Sequence, residues 1–262
     1  MIAGYDSIGN AMLALGLTVP RVIGAFLMLP LLTAQTVPAM VRNSFLVSLA
    51  IVAMPIAMAG APVDVMDNPL WVALILKELF LGISLGFCFG IVFWAIGAAG
   101  SVMDSQVGMG MASIFDPIQG HQISLHGQFL SQLAAWLFMA SGAFLIFLDL
   151  LLSSYVLWPV LSYTPVLNNT GVHLFVGHFD YLMTTLLVMA APAMVLLLVI
   201  DLTFGLVNRY APQLNVFALT LPIKAWIATA VILLLVGVYV EIVLKRLAAN
   251  RGLLNLLDHV FS

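Results

Sequence analysis

Three groups of residues have the side-chain types and spacings of catalytic, metal-binding or ion-pairing sites. The first is a serine between two glycines. Gly82-Ile83-Ser84-Leu85-Gly86 matches the G-x-S-x-G pattern around the nucleophilic serine of many hydrolases. That pattern requires a strand, a sharp turn and a helix. Here it lies inside a long apolar run with further glycines, which favours a helix-packing stripe over a catalytic serine. We therefore expect no catalytic residue and no enzyme activity.

The second group consists of two pairs of histidines that could bind a metal. His121 and His126 are five residues apart, and so are His173 and His178. Metal-binding histidines on one helix face are three or four residues apart, whereas five residues rotate by about 140°. No nearby cysteine or carboxylate completes a ligand set. The pattern predicts loop histidines, with neither a metal site nor a cofactor.

The third group is a pair of opposite charges on either side of a polar turn. The turn runs from Asn208 to Asn215, includes Arg209 and is centred on Pro212. Asp201 and Lys224 lie at nearly equal distances from that proline, so two antiparallel helices would place them at the same height. The spacing predicts a buried ion pair that neutralises charge. The alternative is a proton or ion relay in a secondary transporter of a small solute.

The composition shows which kind of protein must position these residues. Of the 262 residues, 63% are hydrophobic and only 7% are charged, and the net charge is −3. Soluble domains are about 45–50% apolar and about 25% charged. The mean hydropathy of +1.17 agrees with this contrast. The numbers exclude a soluble enzyme and a nucleic-acid-binding protein, and they indicate an integral membrane protein in contact with lipid or with other apolar chains.

Six long apolar stretches predict an all-α, polytopic membrane protein. They cover roughly residues 11–34, 44–61, 79–100, 129–152, 182–207 and 216–244. Each is long enough to cross a hydrocarbon core of about 30 Å as a helix. Several contain proline, glycine or charge, which suits bent helical hairpins covered by protein. We predict one integral-membrane domain, 1–262, that ends in a polar-amphipathic tail, 245–262.

The third stretch carries a packing signal between two acidic residues. Gly82, Gly86 and Gly90 recur every four residues and form a flat stripe against which another backbone can pack. The pattern fits a contact within the chain and a subunit contact equally well. Glu78 near the helix start is favoured by the helix dipole, whereas Asp104 near the helix end is not. Asp104 therefore requires a partner or water.

A long central loop, residues 101–128, is the most unusual segment of the chain. It contains no lysine or arginine, and Asp116-Pro117 forces an extended or turn conformation. Loops of this length tend to be functional or disordered. One interpretation is a reversible seal in which mobile glycines carry adaptable methionines; the other is an amphipathic connector at the membrane interface. The glycines and methionines at its centre are Gly108, Met109, Gly110 and Met111.

Several segments taken together carry a resemblance to a known family. The first set comprises Arg21-Val22-Ile23-Gly24-Ala25-Phe26, Val37-Pro38 with Arg42, Lys77-Glu78, Asp104, Gln106, Gly108 and Phe115-Asp116-Pro117. The most specific block is Asn208-Arg209-Tyr210-Ala211-Pro212-Gln213-Leu214-Asn215, followed by Pro222-Ile223-Lys224. These segments resemble the SctT/FliR family of the type III secretion export apparatus. The end of the block is more similar to the SctT branch of virulence injectisomes than to the flagellar FliR branch.

The resemblance implies a function that composition and spacing alone do not give. It implies a non-enzymatic, multi-pass subunit of an export gate in the bacterial inner membrane, through which unfolded proteins pass. One copy would assemble with five SctR, several SctS and a SctU subunit, and Arg42, Glu78 and Asp104 would meet helices of the chain or of these partners. The central loop, about Gln106 to Gln122, would act as a plug inside the pore.

Overall fold

A computed structural model describes residues 2–32, 37–57, 71–108, 124–161, 169–213 and 215–252. These residues form seven α-helices and a short 3-10 helix, with no strand among them. The predicted all-α fold is confirmed. The helices are α1 Ile2–Leu27, α2 Ala39–Ala57, α3 Trp71–Val107, α4 Leu125–Ala140, α5 Ala143–Leu157, α6 Asn169–Tyr210 and α7 Val216–Ala249; the 3-10 helix is Asn250–Gly252.

Four of the described helices are individually long and apolar enough to cross a membrane: α2, α3, α6 and α7. The pair α4 and α5 adds a fifth candidate if the two are one broken span. Residues 129–152 were predicted as one segment, but they are divided between α4 and α5. The break falls at Gly142, whose φ of 76° lies in the left-handed region that a side chain disfavours.

The central loop is shorter than predicted, because its first part continues α3 to Val107 and its last part begins α4 at Leu125. The hydroxyl groups of Ser101 and Ser105 explain why this polar sequence remains helical. They donate to the carbonyl oxygens of Gly97 and Ser101, at 3.0 and 2.9 Å, and so bond to the helix itself.

The chain divides into two compact units. Unit 1 comprises Met1–Gly90, Ser141–Val176 and Leu247–Ser262, and unit 2 comprises Ile91–Ala140 and Gly177–Arg246. Three helices, α3, α6 and α7, therefore contribute to both units. Each unit is described by its own contacts.

Close packing of α1 on α3 organises unit 1. A Cβ atom added to Gly82 would collide with the carbonyl oxygen of Arg21, and one added to Gly86 would collide with that of Ala25. Gly90 lies in the same way against Met28. The glycine stripe predicted from the sequence thus faces a helix of the same chain. Around this contact the ring of Phe26 meets three other rings edge-on, those of Phe45, Phe144 and Phe147.

In unit 2 the second half of α3 packs on α4. A Cβ atom on Gly100 would lie 2.5 Å from the backbone nitrogen of Gly127, so these two backbones also touch. The rings of Phe93 and Phe138 pack edge-on with centroids 5.4 Å apart. The hydroxyl of Tyr239 on α7 donates to the carbonyl of Met189 on α6 at 2.9 Å. Val107, Leu197 and Ala228 form a small apolar core in this unit.

Candidate functional site

A fully buried arginine is the centre of a polar cluster in unit 1. Arg21 on α1 and Glu78 on α3 both have 0% exposure. The Nε atom of Arg21 donates to Oε2 of Glu78 at 2.6 Å, and Nη2 donates to Oε1 at 2.9 Å. This two-point geometry is the strongest form of an arginine–carboxylate pair. The remaining donors reach the carbonyl oxygens of Ser154 and Trp158, at 2.7 and 2.9 Å.

A lysine and a tyrosine complete this cluster. Lys77 lies with Nζ 2.9 Å from Oε1 of Glu78 and 2.7 Å from the carbonyl oxygen of Val160. The ring of Tyr155 lies 4.2 Å from the guanidinium carbon of Arg21, and its hydroxyl donates to the carbonyl of Thr18. The cluster therefore ties α1, α3 and α5 together, and both oxygens of Glu78 are occupied within the chain.

The pairing of Arg21 with Glu78 was missed from the sequence. Both residues were noted, Arg21 within a segment that carries the family resemblance and Glu78 as a residue near a helix start. The available signal was that each is a charge in an apolar segment and requires an opposite charge. Arg42, expected at a packing or subunit interface, is partly buried, and its Nη1 lies 3.4 Å from the carbonyl oxygen of Leu32.

The partner that Asp104 was expected to need lies at the start of α4. Ser124 Oγ donates to Oδ2 of Asp104 at 2.6 Å, and the backbone nitrogen of His126 donates to the same oxygen at 3.0 Å. Nδ1 of His126 contacts the other oxygen, Oδ1. His126 was predicted in a loop, but it lies in the first turn of α4. His173 and His178, predicted likewise, lie in α6.

The second nitrogen of His126 reaches a third helix. Nε2 lies 3.0 Å from Oγ1 of Thr229 on α7. The single hydroxyl hydrogen of Thr229 is directed at the carbonyl of Ala225, at 2.9 Å, so the ring nitrogen is the donor in this contact. His126 therefore links the end of α3, the start of α4 and α7 through its ring. In the part of the chain that the structure describes, no three His, Cys, Asp or Glu residues are grouped to hold a metal ion.

Asp201 and Lys224 meet as their spacing from the polar turn predicts. Lys224 Nζ lies 2.5 Å from Oδ1 of Asp201, and it donates to the carbonyl oxygen of Gln106 at 2.9 Å. The prediction of a buried pair is wrong for one partner in the isolated chain. The Lys224 side chain is 10% exposed, whereas that of Asp201 is 46% exposed. The second partner of Lys224 is a backbone carbonyl and not another titratable group. This favours a structural ion pair over a proton relay.

Three residues of the polar turn between α6 and α7 stabilise the ends of these helices or the turn between them. Asn215 accepts a hydrogen bond through Oδ1 from the backbone nitrogen of Ala218 at 3.2 Å, so it caps α7. Arg209 is exposed in the last turn of α6, where the helix dipole favours a cation. Pro212 lies between the helices, where its missing backbone N–H costs no helical bond.

A cavity of about 460 Å³ lies next to this pair in unit 2. It is lined by residues from the end of α3, from the end of α6 and from the start of α7, among them Gly108, Asp201, Phe204, Phe217, Leu221 and Lys224. Gly108 has a φ of 95°, and a Cβ atom there would lie 2.8 Å from Cδ2 of Leu221. This position therefore requires glycine for its conformation and for its space.

Two of the residues predicted to form the plug can be placed. Gln106 ends α3 beside Lys224, and Gly108 lines the cavity. The other predicted plug residues lie outside the described residues: Met109, Gly110, Met111, Phe115, Asp116 and Pro117.

Replacing Lys224 with methionine should destabilise the chain and, if the chain is an assembly subunit as its resemblance implies, lower the yield of the complex. The carbonyl of Gln106 loses a charged donor, and bonds to charged donors contribute about 1.5–3 kcal/mol. The Asp201 side chain is 46% exposed, so its ion pair with Lys224 contributes less than this hydrogen bond. Asp201→Asn should therefore have a smaller effect, and Lys245→Met, at an exposed position on α7, should have none. Equal complex yields from all three variants would contradict the role of this pair.

These contacts define a class of protein, a multi-pass all-α membrane protein with ion pairs and glycine contacts between its helices. Ser84, the only serine in a catalytic-like pattern, donates to the carbonyl of Phe80 inside α3, as helix serines commonly do. The chain belongs to the family described as bacterial export proteins, family 1, whose model matches residues 12–249. The resemblance to the SctT/FliR export proteins of type III secretion is thus confirmed.

Individual relatives match over most of their length. The chain is 36% identical to Yop proteins translocation protein T of Yersinia pestis over 256 residues, which is 97% of this chain and 95% of the relative. It is 30% identical to the surface presentation of antigens protein SpaR of Salmonella typhimurium, over 88% of this chain and 85% of the relative. It is also 30% identical to the flagellar biosynthetic protein FliR of Bacillus subtilis, over 86% of each chain.

Proposed function

We propose that this chain is a non-enzymatic, pore-forming subunit of a type III secretion export gate in the bacterial inner membrane. It assembles as one copy with SctR-, SctS- and SctU-type subunits, and unfolded proteins pass through the resulting pore. The loop that follows α3 is the plug of that pore. The higher identity to Yop translocation protein T, 36% against 30% to a flagellar relative, favours the virulence branch.

One observation carries the proposal that the loop is a plug, namely that both of its ends are anchored in the same unit. The end of α3 is bound to α7 through the 2.9 Å bond from Lys224 to the carbonyl of Gln106. The start of α4 is bound to α3 through Asp104, which accepts bonds from Ser124 and His126. A segment that opens and reseals a pore must keep its two ends fixed while the residues between them move. The residues on either side of this segment, Gln106 before it and Ser124 and His126 after it, are fixed in that way.

The unequal burial of the helices supports assembly with other subunits. Within its most apolar window α3 is 67% buried, whereas α6 and α7 are each 28% buried. Large side chains such as Leu198, Trp226 and Leu234 are more than half exposed. Apolar surface of this extent must be covered by lipid or by other subunits. The composition is that of a subunit whose surface is completed by its neighbours.

The plug is tested by replacing residues 109–122 with a Gly-Ser linker of the same length in the assembled complex. Gln106, Gly108, Ser124 and His126 remain, so the anchors are intact. We expect ion conductance in planar bilayers to rise at least tenfold, because the linker cannot fill the pore. The control is the same replacement in residues 58–70, which should leave the conductance low. A loop variant with the same low ion conductance as the wild type would refute the proposal that the loop is a plug.

The subunit role is tested by purification with the neighbouring operon products in mild detergent, followed by native mass spectrometry. A discrete hetero-oligomer with one copy of this chain is expected. The alternative, a secondary transporter with Asp201 and Lys224 in its coupling site, predicts a monomer or simple dimer that moves a solute alone. Recovery of such a form as the active species would replace the proposed function.

A further inference from the structure

The rotation of α5 about its axis is fixed by the buried cluster of unit 1. Ser154 accepts from Arg21 through its carbonyl oxygen at 2.7 Å and through its hydroxyl oxygen at 3.1 Å. Tyr155 covers the guanidinium and donates to the carbonyl of Thr18. Phe147 and Leu151, on the same side, have 0% exposure. Because these contacts orient one face inward, the residues on the opposite face must point away from unit 1.

That outward face carries a carboxylate. At about 100° per residue, Asp149 lies about 140° around the helix from Ser154 and about 120° from Tyr155. Leu145 and Val156 lie within about 40° of Asp149 on the same face. Leu145 and Val156 are 69% and 68% exposed, and Asp149 is exposed as well. We call these three residues the outer face of α5.

Asp149 has an apolar sequence on both sides. The six residues before it in α5, Ala143 to Leu148, are all apolar, and three leucines follow it. Among the residues that the structure describes, no salt bridge or hydrogen bond to its carboxylate is formed. A carboxylate in an apolar helix is costly unless a cation or water meets it.

The other carboxylates that lie inside apolar helices differ from Asp149 in this respect. Glu78 meets Arg21 and Lys77, Asp104 meets His126, and Asp201 meets Lys224, all within the chain. Asp180 is exposed and precedes its apolar stretch, where water is near, and the exposed Glu241 has Lys245 one helical turn further along α7. Asp149 thus lies in an apolar helix, where a carboxylate requires a cation, and the described part of the chain supplies none.

We propose that the outer face of α5 is a contact surface for a helix of another subunit, which presents a lysine or arginine to Asp149. This inference rests on the proposed function as an assembly subunit and adds a specific contact to it. Leu145 and Val156 pack against apolar residues of that helix, and the ion pair fixes its register. Lipid tails offer no donor for the carboxylate, so an apolar surface alone does not match this face.

Three variants of the full chain, expressed with the neighbouring subunits, test the contact. Asp149→Lys places a cation against a cation and should reduce the recovered complex at least tenfold. Asp149→Leu should insert into the membrane at least as well as the wild type but still reduce the complex several-fold, because the partner's cation is left unpaired. Asp149→Asn should lie between the wild type and Asp149→Lys. Glu241→Lys, at an exposed position on α7, is the control and should leave recovery unchanged.

Recovery of the complex is normalised to the amount of chain in the membrane, so a folding defect is separated from an assembly defect. A second-site change of a lysine or arginine to an acid in a sister subunit should restore the Asp149→Lys variant. Unchanged recovery of Asp149→Leu and Asp149→Lys complexes would overturn the inference while leaving the subunit role intact. Failure of the wild-type chain to co-purify with any neighbour would instead overturn the proposed function, and this contact with it.

A cysteine at position 149 separates a protein contact from a water-filled surface. The natural Cys88 is 2% exposed and is replaced by serine to give a clean background. In the assembled complex, a membrane-impermeant maleimide should label Asp149→Cys at least tenfold more slowly than Glu241→Cys. Equally fast labelling of both would show that Asp149 faces water, which contradicts the proposed contact.

Discussion

Replacing Glu78 with glutamine is expected to destabilise unit 1 by about 3–5 kcal/mol, since removal of one partner from a buried ion pair leaves the other charge uncompensated. Arg21 has no exposure, so water cannot solvate its guanidinium after the change. Lys77, which shares Oε1 of Glu78, would lose its ion pair at the same time. We expect a lower thermal midpoint of the purified complex and less chain in the membrane.

Two further variants show whether the effect comes from the charge. Glu241→Gln removes an exposed carboxylate from α7 and should leave the thermal midpoint within the error of measurement. The double change Arg21→Met with Glu78→Met should be less destabilising than Glu78→Gln alone, because apolar replacements leave no unpaired charge between them. If Glu78→Gln and Glu241→Gln gave the same midpoint, the cluster would have no role in stability.

The second large effect is expected from Gly82→Ala combined with Gly86→Ala. Each new Cβ atom would overlap a backbone carbonyl oxygen of α1, that of Arg21 or of Ala25, and a backbone cannot move aside as a flexible side chain can. Overpacking of this kind costs about 1–3 kcal/mol per site, and more when a helix has to shift. We expect the double variant to lower the thermal midpoint as much as Glu78→Gln does.

The matched control for this change is Gly237→Ala on α7, where an added Cβ atom meets nothing within 4 Å. The better helix propensity of alanine should stabilise this variant by about 0.5–1 kcal/mol. A thermal midpoint that rises in Gly237→Ala and falls in the Gly82 and Gly86 variant would separate crowding from propensity. A rise in both would mean that α1 does not pack on the glycine stripe.

Much of the fold could be predicted, because lengths of apolar sequence determine helices at membrane depth. The break at Gly142 could not, since glycine inside an apolar run is compatible with a continuous helix until its φ is known. The serines at the end of α3 were assigned to a loop for their polarity. Their hydroxyl groups bond back to the helix, which composition alone does not indicate.

Whether a pair of site residues could be predicted depends on the length of chain that separates the two partners. Asp201 and Lys224 flank one short turn, so counting residues from Pro212 places them together. Arg21 and Glu78 are separated by 57 positions with another helix between, so their spacing carries no geometric information. Asp104 and His126 are separated by the central loop, whose path the sequence does not specify. Charges in apolar runs therefore indicated that partners exist, but only the short hairpin identified one.

The long separation between the partners of Arg21 has a consequence for the biosynthesis of the chain. The protein emerges from the ribosome from its N-terminus, so Arg21 is made 57 positions before Glu78 and 133 positions before Ser154. During that interval its guanidinium lacks the carboxylate that binds it in the folded chain, and it cannot enter lipid unpaired without a large cost. Helix α1 must therefore wait beside the insertion machinery, or at the membrane surface, until α3 and then α5 have been translated. The order of insertion follows from the ion pair, because α1 is made before α3 and α5 but reaches its final position only after both.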